Sequence, residues 1–167
     1  PEFNIKRVAL PYRLKNPIRI LHITDIHAFD AMPFWYFENV FHLALSDRPD
    51  LICLTGDFIS RDLPDPRMYA RVLQPFSTAA PVYACLGNHD GGGWAGNAGG
   101  YKDPGLLRQV LNAASIRCLE NELVEISVAG QQVGLFGTVD LWSSPIDGTP
   151  LLGAPAEIPK IVLAHNP

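Results

Sequence analysis

The sequence predicts an α/β fold, on three observations. Short apolar runs alternate with longer amphipathic ones, the pattern of strands and helices in turn. Four of the apolar runs break off into a cluster of polar residues: "TDIH", "TGDF", "GNHD" and "LAHNP". With 167 residues, 47% hydrophobic and 18% charged, the chain can bury one ordinary core.

Each element has its own signal. "IRILHITDIH" (18 to 27) reads as a buried strand ending in polar residues. "PFWYFENVFHLALSDR" (33 to 48) has helical spacing and opens on a proline, which suits a first turn. "DLICLTGDF" (50 to 58) is a second buried strand. "PRMYARVLQPFS" (66 to 77) is a second helix, broken or closed near Pro75, with Asp62 and Asp65 as the turn residues that open it. "PVYACLGNHD" (81 to 90) is a third strand, and "PGLLRQVLNAASI" after the glycine-rich loop is a third helix. "ELVEISVAGQQVGLFGTVD" predicts a hairpin turning near Gly130, followed by a Pro/Gly-rich loop (143 to 159) and a last strand, "KIVLAHNP". The expected division is a basic arm over 1–17 and one domain over 18–167.

Charge and cysteines narrow the setting. A net charge of -4 predicts no nucleic-acid face. The early cations in "IKRVALPYRLKNPIR" read either as an arm for an anionic membrane surface or as a solvated segment. Cys53 and Cys85 lie inside apolar runs and are expected to be buried free thiols. Reduced thiols favour the cytoplasm or the periphery of the inner membrane. The opening Pro-Glu-Phe does not read as a native start, which leaves room for an upstream anchor or a leader that would export the chain. No apolar run reaches the roughly 18 residues a membrane helix needs.

The polar clusters carry the chemistry. Carboxyl ends of parallel strands open onto one edge, so Asp25, His27, Asp57, Asn88, His89, Asp90 and His165 are expected to converge. Alternation along a strand turns Asp25 and His27 the same way. Asp, His and an Asn carbonyl make a mixed oxygen and nitrogen donor set without thiolate. That set suits Mn, Fe, Zn or Mg, with Mn favoured, better than a structural zinc site. Two adjacent dications need a bridging carboxylate, and Asp57, after Gly56, is the natural candidate. Such a pair lowers the pKa of a bridging water and neutralises phosphate oxygens, the chemistry of phosphate-ester hydrolysis. His89, left free of the metals, then protonates the leaving oxygen, with Asp90 beside it to fix its tautomer.

The series D-x-H, G-D, G-N-H-D and a later H resembles the calcineurin-like metallophosphoesterase superfamily. Together "ILHITDIH", "PDLICLTGDF", "PVYACLGNHD", "GLFGTVDLW" and "IVLAHNP" are similar to its bacterial branch of membrane-associated phosphodiesterases, kin to enzymes that split UDP-2,3-diacylglucosamine. The likeness runs from about Ile18 to the end. It implies a four-layer α/β/β/α sandwich, Asp25 and His27 on a first metal, Asp57 bridging, Asn88 and His165 on a second, and His89 as acid with Asp90 orienting it. The implied activity is that of a phosphodiesterase or pyrophosphatase in which a dimetal-bridging hydroxide attacks phosphorus. The competing classes are a phosphomonoesterase and a non-catalytic interaction module on the same scaffold. The family's further G-H-x-H motif does not precede Pro167. The chain is therefore expected to be the incomplete part of a longer domain, with weak metal binding and little activity by itself.

Other residues have plainer readings. His22 has the opposite strand parity and is expected behind the site; His42 is expected at the surface. The aromatics of "FWYF" (34 to 37) read as core or as an apolar lip for a lipid chain. In "GGGWAGNAGGYKD", Trp94, Tyr101 and Lys102 read as substrate contacts or as parts of a mere connection. Asp140 is expected to hold a loop by hydrogen bonds.

Overall fold

The computed structural model describes residues 5–12, 14–63 and 65–166. Residues 1–4 and Arg13 of the expected basic arm lie outside the described residues. In chain order the elements are β1 (Ile20–Thr24), α1 (Phe34–Leu45), β2 (Leu51–Thr55), α2 (Pro66–Ala79), β3 (Val82–Cys85), α3 (Gly93–Asn97), α4 (Gly105–Ala113), β4 (Arg117–Cys118), β5 (Glu122–Val128), β6 (Gln131–Gly137), α5 (Thr149–Leu152) and β7 (Lys160–Leu163). The first four strands form a parallel sheet in the order β1-β2-β3-β4. The last three form a second sheet, with β5 antiparallel and β7 parallel to β6.

The two cores follow strand parity. Ile52 and Leu54 of β2 and Val82 and Ala84 of β3 face a core shared with Phe37, Phe41, Leu73, Phe76, Val110 and Leu111 of the helices. Their neighbours Leu51, Cys53 and Cys85 face the other way, into a core closed by Val128, Leu135 and Leu163 of the second sheet. Covered on both sides, β2 is buried along its whole length, which is why its sequence is an unbroken apolar run. The α/β class thus holds, with helices, a parallel sheet and a second sheet in successive layers. The short α5 contacts β5 of the second sheet.

Three local expectations are corrected. β1 is an edge strand: Leu21 and Ile23 pack on the helical core, while Ile20 is 40% exposed on the opposite face. α2 runs through Pro75 to Ala79. The proline costs about 3 kcal/mol in a helix interior. Full burial of Tyr69, Leu73 and Phe76 on the same helix is worth about 1.5–3 kcal/mol for each large apolar side chain and outweighs it. The glycine-rich loop contains the short helix α3, which its composition hides.

The hairpin turns where expected. Ala129 (φ 49°) and Gly130 (φ 74°) form a two-residue left-handed turn between the paired Val128 and Gln131, the geometry that matches strand twist. Asn16 and Lys15 tie the incoming chain to this turn through Ala129 and Gln131.

Candidate metal centre

The carboxyl ends of β1, β2, β3 and β7 meet at one edge, and each delivers polar side chains there. At the centre lies Asp57, 4% exposed. Its Oδ2 is 3.3 Å from His27 Nε2, and its Oδ1 is 3.3 Å from His165 Nε2. Asp25 Oδ1 lies 3.7 Å from His27 Nε2, and His89 Nε2 lies 4.0 Å from Asp57 Oδ2. Two sets of closely spaced donors result, His27–Asp57–His89 and Asp25–Asp57–His165. Asp57 belongs to both. The resemblance implied that Asp25 and His27 share one metal and left His89 off both; by proximity alone, His27 is grouped with His89 and Asp25 with His165.

Backbone strain builds the cluster. β1 ends at Thr24, and Asp25 (φ 54°), His27 (φ 48°) and Asp57 (φ 53°) all have left-handed backbones. Few non-glycine residues adopt that conformation, and where they do it clusters at functional sites. Strand alternation is therefore not what turns Asp25 and His27 together. Beyond β1 the chain still tracks its neighbour, Asp25 N–H donating to Gly56 O (3.1 Å) and His27 N–H to Asp57 O (2.8 Å). Thr24 adds hydroxyl contacts to Asp25 Oδ2 and Thr55 O.

Two glycines make the room. A Cβ on Gly56 (φ 72°) would sit 2.7 Å from the Gly87 backbone and from the His165 ring. One on Gly87 would sit 2.5 Å from Asp57 N and collide with the Asp57 carboxylate. Both glycines follow strands of the first sheet, and the space left by their missing side chains admits the His165 ring from the end of β7, whose Nε2 reaches Asp57.

The histidines are oriented by carbonyls. His165 Nδ1 lies 3.0 Å from Thr55 O, and His89 Nδ1 lies 2.7 Å from Ser60 O. A carbonyl only accepts, so in both rings Nδ1 carries the proton and Nε2 faces the cluster. Anchoring the far nitrogen is the usual way a metal-facing imidazole is fixed. His27 packs edge-on against His89, ring centroids 4.8 Å apart. Asn88 is 7% exposed, and among the described residues its amide makes no hydrogen bond to the protein, which leaves its oxygen available as a ligand. Two carboxylates, inward Nε2 atoms and a free amide oxygen suit a hard to borderline dication.

Asp90 has a different job from the one adjacency suggested. It is 1% exposed, and Oδ1 accepts from the N–H groups of Phe58 (2.7 Å) and Ile59 (3.3 Å) while Oδ2 accepts from Gly87 (2.8 Å). The expectation that it orients His89 is corrected: Ser60 O does so, and Asp90 ties the turn after β2 to the turn after β3. Burial pushes the Asp90 carboxyl up to about 7 and nearby Asp57 adds to this, while the three N–H donors pull the other way.

The remaining candidates fall in several places. Tyr101 is corrected from substrate contact to scaffold, because its ring packs on the helical core and its hydroxyl accepts from Leu63 N–H. Trp94 does sit at the site, its ring centroid 4.4 Å from that of His89. His22 lies outside the cluster with Nε2 2.6 Å from Thr55 Oγ1, and His42 is exposed. Of the "FWYF" aromatics, Phe37 is buried, Phe34 and Tyr36 are half-buried against the core, and Trp35 is 61% exposed. Asp65 caps α2 by accepting from Met68 N–H. Asp140 holds its loop through its backbone carbonyl, which accepts from Ser143 and Ser144; its buried carboxylate has no partner among the described residues. Sequence reading passed over Ser60, the Gly56/Gly87 contact and Trp142. Only the glycines carried a signal, as the residues just before Asp57 and Asn88.

Comparison with known proteins agrees with this geometry. The calcineurin-like phosphoesterase family matches residues 18–167. The chain is 33% identical over 168 residues to phosphodiesterase YaeI of Escherichia coli, covering 99% of this chain and 59% of that protein. It is 31% identical to the uncharacterized metallophosphoesterase YkoQ of Bacillus subtilis, over 95% of this chain and 56% of that one. The UDP-2,3-diacylglucosamine pyrophosphatase LpxG of Chlamydia trachomatis is 32% identical over 74 residues, 44% of this chain and 22% of that protein. The chain thus spans somewhat under three-fifths of the length of the two relatives it matches end to end. With donor sets from four strand ends sharing one carboxylate, and a match over nearly its whole length, the chain belongs to the calcineurin-like phosphoesterase family.

Proposed function

We propose that this chain carries the centre of a metal-dependent phosphodiesterase or pyrophosphatase. The observation that carries the reading is Asp57, each of whose oxygens faces a different histidine. One carboxylate shared by two donor sets is what a pair of cations a few ångströms apart requires. Asp25, His27, Asp57, Asn88 and His165 would hold two divalent ions, with Mn²⁺ the best fit to the mixed donor set. Bound there, the ions would supply an acidified water and neutralise phosphate charge. His89, with Nδ1–H held by Ser60 O, presents Nε2 to the cluster, and in its doubly protonated form it passes the Nε2 proton to the leaving oxygen and is left as the neutral Nδ1–H ring. Asp90 acts through the backbone, fixing Asp57 and Asn88 relative to each other.

A phosphodiester is favoured over a monoester because a relative aligned over almost the entire chain is named a phosphodiesterase. The partial likeness to LpxG supports a lipid-linked nucleotide as a narrower possibility for the substrate. Among the described residues no helix is long and apolar enough to cross a membrane. Peripheral attachment through the arm's Lys6 and Lys15, on the cytoplasmic side where the buried thiols stay reduced, completes the proposal. Arg7 is already paired with Asp47 and adds little to such a contact.

Metal analysis after dialysis against Mn²⁺, run beside turnover of a phosphodiester, tests the reading. With Mn²⁺ kept in the buffer at a concentration high enough to fill weak sites, the expected result is about two metals per chain, kept in His89→Ala and lost in Asp57→Asn. A protein that holds no metal, or whose turnover is unchanged in Asp57→Asn, would overturn it.

A further inference from the structure

The metal cluster does not end at His89. Trp94 packs on that ring at 4.4 Å between centroids, and Trp142 packs on Trp94 at 5.8 Å, tilted by 45°. The first indole is half-buried and the second is 57% exposed, so the series runs from the interior to solvent. Its two tryptophans follow strands of different sheets, Trp94 in α3 after β3 and Trp142 in the loop after β6. Both segments are braced. A Cβ on Gly92 (φ 115°) would lie 2.5 Å from Ser143 Oγ, so the loops are in direct contact there. Leu141 N–H donates to Asn166 Oδ1 (3.1 Å), next to His165, and Asp140 O accepts from Ser143 and Ser144.

Resting on the phosphohydrolase reading above, we infer that Trp94 and Trp142 form a binding shelf for a leaving group whose oxygen carries a planar aromatic ring, such as a nucleoside or a phenol, on the His89 side of the phosphate. Position follows from chemistry: the group that takes a proton from His89 departs on the side where His89 stands, and that side is walled by indoles. Ring type follows from size and surface. Ring-to-ring steps of 4.4 and 5.8 Å give a shelf two indoles long beyond His89, enough for a nucleoside-sized group and shorter than an extended long fatty chain. A tilted indole pair with one exposed face offers stacking to a flat ring, and every base has a π-face to stack. Among the described residues the ring contact of Trp142 is with Trp94 and not with a histidine of the cluster, so its contribution is to substrate binding and not to the chemical step.

The test uses the Mn²⁺-loaded full chain and two methyl phosphodiesters matched in leaving-group acidity, one aryl and one fluoroalkyl. Trp142→Ala is expected to raise KM for the aryl ester roughly fivefold or more with kcat within about twofold, as for loss of an interaction made equally in ground and transition states. KM for the fluoroalkyl ester should move less than about twofold, and Trp142→Phe should recover most of the aryl preference. Equal effects on both esters, or none on the aryl ester, overturn the shelf. A diester with a long-chain alkyl leaving group that outcompetes the aryl one in a Trp142-dependent way overturns the choice of occupant. Should the parent hydrolyse neither ester, the phosphohydrolase reading fails separately. Quenching of indole fluorescence in a Trp35→Phe background still reads the shelf: AMP is expected to quench more strongly than inorganic phosphate, and absence of a Trp142-dependent difference overturns it.

Discussion

His89 is held by Ser60: the imidazole Nδ1–H donates to the Ser60 carbonyl at 2.7 Å, and Nε2 is left facing Asp57 at 4.0 Å. That arrangement suits a proton donor to a leaving group, but Nε2 is also close enough to the cluster to serve as a ligand. Leaving-group dependence separates the two. For an alkyl diester, whose leaving oxygen needs a proton, His89→Ala is expected to lower kcat by about 10²–10⁴. For a nitrophenyl diester, whose phenolate leaves unaided, the loss should be about tenfold or less. Rates for both esters, measured at saturating Mn²⁺, check this; equal losses would make His89 a ligand.

The contact between Gly56 and Gly87 makes a second prediction. Gly87→Ala places a methyl group 2.5 Å from Asp57 N and against its carboxylate, with the His165 ring at 3.0 Å. None of these atoms is the free end of a flexible chain. Overpacking of this kind costs about 1–3 kcal/mol, and here the displaced groups are proposed ligands. Thermal unfolding with Mn²⁺ and with EDTA checks both effects. The parent should melt higher in Mn²⁺, by the linkage of ligand to the folded state. Gly87→Ala should melt lower in EDTA and gain little from the metal.

Much of this was legible before the structure, for a definable reason. Strands buried on both faces must be continuous apolar runs, so β2 and β3 stand out, and the polar residues at their ends stand out against them. Which strand lies at an edge depends on what pairs with it and covers it, and nothing in "ILHIT" says that β1 ends the sheet with Ile20 left exposed. Local sequence also misleads where a turn reverses direction. Asp90 follows His89 in the chain, yet the turn after β3 sends its carboxylate inward to Gly87, Phe58 and Ile59. Trp142 sits some fifty residues from His89 in sequence, in a loop whose composition suggests only a connection, and only the packing of two loops brings it to the series. Left-handed backbones at Asp25, His27 and Asp57 leave no mark in residue type beyond the tolerance of Asp and His for that conformation.

Asp90 supplies a third prediction. Asp90→Ala strips the acceptor from three N–H groups in two buried turns. An unsatisfied buried donor costs about 1–3 kcal/mol, and partial relaxation should bring the total loss to about 2–5 kcal/mol. Denaturant unfolding in EDTA measures it. A purely structural residue would stop there, whereas one that positions Asp57 and Asn88 should also weaken Mn²⁺ binding, and Asp90→Asn, which keeps one acceptor oxygen, should recover part of both. Unchanged metal affinity in Asp90→Ala at a temperature where it remains folded would confine Asp90 to stability.

The last prediction concerns the core between the sheets. Cys53 and Cys85 are buried there as free thiols, and burial pushes both up to about 12; Cys118, half-buried, is also raised, chiefly by burial. The thiolate is the reactive form, so the folded protein at pH 8 should resist iodoacetamide at Cys53 and Cys85, and both should alkylate once guanidinium unfolds it. The same shift sets a pH dependence. Between about pH 9 and 12 the unfolded chain releases thiol protons that the folded chain keeps, so the folded state binds more protons and stability falls as pH rises, by up to about 1.4 kcal/mol per thiol per pH unit. Below pH 9 this contribution is fully present. Replacing both with alanine should flatten that part of the alkaline limb in a denaturant series, and rapid alkylation of the folded protein at pH 8 would show that the two sheets open far more often than their packing implies.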